Sequence, residues 1–231
     1  MTATHLSIGG IPAILWGKEL EKGYLFIHGK HGCKEAATNF AEIAFSQGWA
    51  VLSFDLPEHG ERNESKERFV PWNIIPELKT MMSFAKERWN TVALRADSIG
   101  AWFGMQSYGE ENLAKCLFLS PVLDMEQLIG GMMSAEGISR EQLKKQAVIQ
   151  TASGETLSWQ YLTFAQEHPI CKWDAPTAIL WAENDLLTPR CTVDSFTARF
   201  GCQLTVMKNG EHWFHTPEQL AVLKEWTQAV F

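Results

Sequence analysis

Apolar positions along the chain follow two alternating rhythms. Short continuous runs, beginning with Tyr24-Leu25-Phe26-Ile27 and Ala50-Val51-Leu52-Ser53-Phe54, have the length and content of strands buried on both faces of a parallel sheet. Between them, residues 35–47 space Phe40, Ile43, Ala44 and Phe45 along one helical face and stop at Gly48, a residue suited to a helix C-cap. That is a βαβ unit. Further runs at 91–96, 115–119, 178–181 and 203–207 predict more strands, and a helix over 74–88 precedes the first of them. Thr216-Pro217, with Gln219 at the third helical position, predicts a capping box opening a last helix. The expected fold class is α/β, a doubly wound, mostly parallel sheet.

One interval breaks the rhythm. Residues 121–174 separate two strands by 54 positions, far more than a single crossover helix requires. Helix starts are predicted within it at Ser139, with Gln142 three residues on, and at Ser158. We read 121–174 as a helical lid inserted after the sixth strand of the sheet, with 1–120 and 175–231 forming the core. No internal repeat or low-complexity segment is evident.

Composition narrows the function classes. Of 231 residues, 45% are hydrophobic and 20% charged, which excludes disordered, collagenous and disulfide-scaffold classes. The net charge is -7 and no stretch gathers Lys and Arg into a stripe, so nucleic acid is not an expected partner. No apolar run approaches the ~20 residues of a membrane span, and the first residues, Met1-Thr2-Ala3-Thr4-His5, lack the features of a signal peptide. Cys33, Cys116, Cys171, Cys191 and Cys202 form an odd set with no C-x-x-C pair, which suits a reducing, cytoplasmic setting.

The most specific chemical signal is Ala96-Asp97-Ser98-Ile99-Gly100, between a predicted strand and a predicted helix running through Trp102, Phe103 and Met105. It has the form of a nucleophile elbow, where a strand turns sharply into a helix and small residues are needed two places either side of the serine. The bland alternative is an ordinary N-cap serine. A serine nucleophile needs a base, and His212 lies on the loop between the last strand and last helix; His215, beside the Thr216 cap, is the competitor. The base needs an acid to hold its tautomer. Asp185, just past the strand at 178–181, is placed for it, with Glu183 as the alternative. Two amides must face the oxygen of a tetrahedral intermediate. One is assigned to Ile99, the other to the glycine-rich loop His28-Gly29-Lys30-His31-Gly32. His28, His31 and Cys33 lack the partner set that zinc requires, so neither metal nor cofactor is expected.

With these residues in view, the sequence resembles the α/β-hydrolase superfamily. The likeness runs through His28-Gly29, Asp55-Leu56-Pro57-Glu58-His59-Gly60, the elbow at Ser98, Asp185-Leu186-Leu187-Thr188-Pro189 and Gly210-Glu211-His212. It implies an α/β-hydrolase fold, Ser98, Asp185 and His212 as a catalytic triad, and the Lys30 and Ile99 amides as oxyanion donors. It also implies structural roles for Asp55 and His59. Two departures stand out: Ala96 replaces a commoner glycine, and Lys30 stands where many relatives carry an apolar residue. The implied activity is that of a serine hydrolase cleaving a carboxylic ester of a small or medium acyl substrate, like a carboxylesterase. Thioesterase, peptidase, acyltransferase or carbon–carbon hydrolase action shares the same triad, and a catalytically silent binding protein shares the fold. Expected substrate-binding residues are Trp102, Met133, Trp159, Trp213 and Phe214, from the Met- and aromatic-rich lid and from the neighbourhood of the triad.

Overall fold

The computed structural model describes residues 1–66 and 68–231. Among these residues eight strands form one sheet in the order β1 (Ala3–Ile8), β2 (Ile11–Trp16), β4 (Ala50–Phe54), β3 (Lys22–Ile27), β5 (Thr91–Asp97), β6 (Cys116–Leu119), β9 (Thr177–Ala182), β10 (Gln203–Met207). From β4 to β10 every neighbouring pair is parallel. The antiparallel edge, β1 with β2 and β2 with β4, is where the first two strands attach. That hairpin was not anticipated from the sequence. Its turn is Gly9-Gly10 with φ of 58° and 87°, the positive values that a two-residue hairpin loop demands.

Helices cover both faces. α2 (Pro71–Arg88), α3 (Ile99–Tyr108) and α7 (Arg190–Phe200) pack through Leu78, Met81, Phe103 and Phe196 onto Leu25, Leu94, Phe118 and Ile179. On the opposite face α1 (Thr38–Ser46) and α8 (Pro217–Ala229) bring Phe40, Ala41 and Trp226 against Tyr24, Phe26, Ala93 and Leu180. Tyr24 and Phe26 thus face one layer while Leu25 and Ile27 face the other, which explains why the run is apolar throughout. The helix expected over 35–47 opens as a 3-10 turn, Lys34–Ala37, before α1, and the helix expected from 74 begins at Pro71, a proline at the first position.

Between β6 and β9 lie α4 (Met125–Ala135), α5 (Arg140–Gln146), an antiparallel hairpin of β7 (Val148–Gln150) and β8 (Thr156–Ser158), and α6 (Trp159–Glu167). The expectation of a purely helical insert is corrected by that hairpin, whose strands of three residues are too short to show a period. The caps do follow the sequence: Ser139 and Gln142 form a capping box, and the Ser158 hydroxyl accepts the Tyr161 N–H at 3.3 Å. No described helix is long and apolar enough to cross a membrane.

The winding sets the position of the site. From β3 the chain crosses to β4 on one side, then returns by α2 to β5 on the other side of β3. The loops leaving β3 and β5 therefore diverge, and open a crevice at the carboxyl ends of the strands.

Candidate active site

Ser98 closes β5 and caps α3 with φ 51° and ψ -123°, a region that non-glycine residues rarely occupy and that costs on the order of 1–3 kcal/mol. Neighbouring backbone over-determines it. The Ser98 N–H donates to the Leu119 carbonyl at 2.8 Å, while its own carbonyl accepts from Ala101 at 3.1 Å and Val122 at 3.0 Å. Two residues on, a Cβ at Gly100 would sit 2.7 Å from both the Ile27 and His28 carbonyl oxygens, so a side chain there would push β3 away. Ala96 is fully buried between Ile27 and Phe118 in the ladder, and its single methyl fits where the sequence pattern favours glycine.

Ser98 Oγ lies 2.7 Å from His212 Nε2, and His212 Nδ1 lies 2.8 Å from Asp185 Oδ2. Three separate loops meet in this relay. The Asp185 side chain has no exposed surface, and its other oxygen accepts the Leu187 N–H at 2.8 Å and the Thr188 N–H at 3.1 Å. An aspartate so held is placed where it could orient the imidazole. Asp185 thus begins a turn, a role its Asp-x-x-Thr-Pro context signals. The Thr188 hydroxyl bonds the Pro121 carbonyl at 2.8 Å, and Asn184 N–H bonds the Gly210 carbonyl at 2.9 Å, sewing the acid loop to its two neighbours.

The competing residues are otherwise engaged. Glu183 accepts the Asn209 N–H at 2.9 Å and stabilises the loop ahead of the histidine. His215 accepts nothing from Ser98; its backbone N–H reaches Gln219 Oε1 at 3.0 Å, and its ring stacks on Trp213 at 5.1 Å.

Lys30, Ile99 and Ser98 border one cavity of about 1880 Å³. Ile99 is the first helical residue of α3, so its N–H has no partner within the helix and adds to the positive end of the helix dipole. The loop carrying Lys30 is braced by two histidines. His28 Nε2 accepts the Leu56 N–H at 3.1 Å, and His59 Nε2 accepts the His31 N–H at 3.0 Å. In each ring Nδ1 contacts a carbonyl, of Gly29 or Pro57, at 2.8 Å, which assigns the proton to Nδ1. Burial pushes His28 down to about 4, against the opposing pull of the Gly29 carbonyl, and lowers His59 as well. Both rings are neutral acceptors near neutral pH. Asp55 takes the buried Lys34 ammonium at 2.8 Å and the Lys34 N–H at 2.8 Å, and braces the same loop from below.

The expected substrate-binding residues divide. Trp213, 75% exposed, and Phe214 line the cavity. Trp102, Met133 and Trp159 lie outside its described lining: Trp102 and Met133 are buried in the core, and Trp159 lies under the Lys144 ammonium. The reason is helical phase. On α4 the cavity side carries Met125, Leu128, Ile129 and Met132, and on α6 it carries Gln160 and Tyr161. Sequence reading also missed Lys30 as a side chain: its ammonium pairs with Glu155 at the end of the β7–β8 turn, joining the core to the insert. It missed Arg95 too, although a charge inside an apolar strand was a visible signal. A smaller cleft of about 700 Å³, by Gly9, Arg62 and Glu77, contains none of these groups. Among the described residues no cluster of three His, Cys, Asp or Glu is placed to hold a metal ion.

No protein-family model matches the sequence, and no curated protein matches it. Solved structures do match. Est1E from Butyrivibrio proteoclasticus, in a structure with ferulic acid bound, superposes with a TM-score of 0.78 at 18% identity over 99% of this chain and 97% of its own. Alpha/beta hydrolase domain-containing protein 10 from mouse gives 0.75 at 14% identity over 100% and 98%. A thioesterase domain from the curacin biosynthetic pathway gives 0.62 at 15% identity over 98% and 99%. The chain therefore has the α/β-hydrolase fold.

Proposed function

We propose that the protein is a serine hydrolase that cleaves a carboxylic ester of a small or medium acyl group through an acyl-enzyme. The observation that supports it most directly is the relay of Ser98, His212 and Asp185 at 2.7 and 2.8 Å, opening on the large cavity. His212 Nε2 takes the Ser98 proton as Oγ forms a bond to the acyl carbon. The carbonyl oxygen becomes an oxyanion facing the Lys30 and Ile99 amides, and Asp185 stabilises the imidazolium. Collapse breaks the bond to the alcohol oxygen, which leaves with the proton from His212. Water, deprotonated by the same imidazole, then attacks the acyl-enzyme, and release of the acid restores Ser98.

The 121–174 segment acts as a lid over this cavity in our reading, since α4, the β7–β8 hairpin and α6 supply much of its lining. The free cysteines suit a reducing, cytoplasmic setting. The test is covalent labelling with a fluorophosphonate and turnover of p-nitrophenyl esters of graded chain length, with thioester and amide substrates alongside. We expect label and ester turnover in the wild type and neither in Ser98→Ala; label persisting in Ser98→Ala overturns the assignment.

A further inference from the structure

The cavity does not stop at the triad. A second arm runs between α1 and α8 on the side of the sheet away from the insert, lined by Phe26, Asn39, Phe40, Arg95, Asp97 and Thr227. Arg95 and Asp97, two apart on β5, face this arm together, as strand alternation requires. Arg95 is only 3% exposed, and its guanidinium is held between the rings of Phe40 at 5.4 Å and Trp226 at 5.7 Å. Its Nε donates to Asp97 Oδ1 at 2.8 Å, yet Nη1 is buried with no hydrogen-bond partner. The hydroxyl of Tyr24 and the indole N–H of Trp226, on the same face, are also buried without partners.

A buried guanidinium with an unmet N–H is costly, since each orphaned donor loses its hydration without replacement. Asp97 balances the charge but meets Arg95 through Nε alone, so Nη1 is left without an acceptor, and burial raises the Asp97 carboxyl above the ordinary carboxylate range. Flat carboxylates match the guanidinium fork better than any other small anion short of phosphate. We propose that this arm is an anion subsite in which Arg95 receives a carboxylate at the far end of one half of the ester substrate. The inference rests on the hydrolase reading for the scissile bond, but the binding site itself does not. Ser98 and Arg95 are three residues apart along the chain, about 10 Å between Cα atoms, so diacids of four to eight carbons bracket the span between the two groups.

Two substrate series test it: p-nitrophenyl half-esters of succinate, adipate and suberate, and butyrate esters of ω-hydroxy acids of matching length. Each is compared with its neutral isostere, such as the 6-methylheptanoate for the adipate. In at least one series kcat/KM should favour the carboxylate by about tenfold or more at the length that fits, the size expected of a charge-assisted pair. Arg95→Met should bring that ratio close to one, while Lys79→Ala, an exposed cation on α2 outside the cavity, should leave it in place. Equal kcat/KM for carboxylate and isostere in both series overturns the subsite and leaves the hydrolase reading standing. Should Arg95→Met fail to fold, the wild-type ratio and competitive inhibition by adipate still decide. If no ester is turned over but adipate raises the melting temperature of the wild type and not of Arg95→Met, the subsite stands and the hydrolase reading fails.

Discussion

At Ser98 the chain holds a strained backbone and the hydroxyl proposed as nucleophile at one position, and the two can be separated by substitution. Ser98→Ala removes the proposed nucleophile but keeps the strained φ of 51°; Ser98→Gly removes both. Both should lower turnover by a factor on the order of 10³ or more. The glycine variant should nevertheless be the more stable of the two by roughly 1 kcal/mol, read as a higher melting temperature. An alanine variant that melts at or above the glycine variant would mean the turn is not strained. Asp185→Asn and His212→Ala should each cost most of the activity and add little to Ser98→Ala, as expected of a proposed triad whose members act as a unit. Glu183→Gln and His215→Ala should be mild, given that each holds a loop and neither faces Ser98. The buried histidine at position 28 makes a further expectation. Its folded pKa, about 4, lies below the ordinary 6.5, so the unfolded chain binds the extra proton first. The stability its neutral form contributes is complete above pH 6.5 and lost as pH falls towards 4, a fall of up to about 3 kcal/mol. Lowered in the same direction, His59 adds to it. A urea midpoint unchanged between pH 7 and pH 5 would contradict this.

Elements, not single residues, decide how the insert meets the core. The β7–β8 hairpin contacts α5 and α6 beside it, and its turn is closed by Thr151 and Glu155 through paired bonds of 2.8–2.9 Å. Its ion pair to the core is Lys30–Glu155, both side chains about one-third exposed. An exposed pair of this kind is worth roughly 0.2–1 kcal/mol and weakens with salt. A double-mutant cycle of Lys30→Met and Glu155→Gln, read through KM for a long ester, should give a coupling in that range that shrinks towards zero near 1 M salt. Coupling that survives the salt would point to a packing contact instead. The caps of α5 and α8 needed no tertiary context, since Ser139 with Gln142 and Thr216 with Gln219 close their boxes within four residues.

For the molecule as a whole, the cavity has an insert-side arm with an apolar wall and a sheet-side arm with Arg95 and Asp97. Met132→Ala or Tyr161→Ala should shift the preferred ester chain length, because one methylene in an apolar pocket is worth about 1–3 kcal/mol. Met133→Ala should lower the melting temperature while the short-to-long ratio of kcat/KM stays constant, since that side chain is 4% exposed and faces the core. The opposite pattern would place Met133 in the pocket after all.

The division between chain and fold follows from the range of the forces involved. Buried parallel strands, helix starts and the elbow were legible in the sequence because each rests on contacts within a few residues: side-chain alternation, capping bonds, and a small residue beside a sharp turn. Ser98, Asp185 and His212 were legible as candidates for the same reason, each marking the end of a strand. Short elements were not: β7 and β8 are three residues long, and β1 becomes a strand by pairing with β2 across two glycines. Nor could the sequence say which face of α4 or α6 turns towards the cavity, because Met132 and Met133 are chemically equivalent neighbours until packing sets the helix phase. Distances of 2.7 and 2.8 Å between residues 27 and 114 positions apart are the work of the sheet. So are the Lys30–Glu155 link and the half-satisfied Arg95, which exist only where loops and layers distant in sequence are brought together by burying both faces of one sheet.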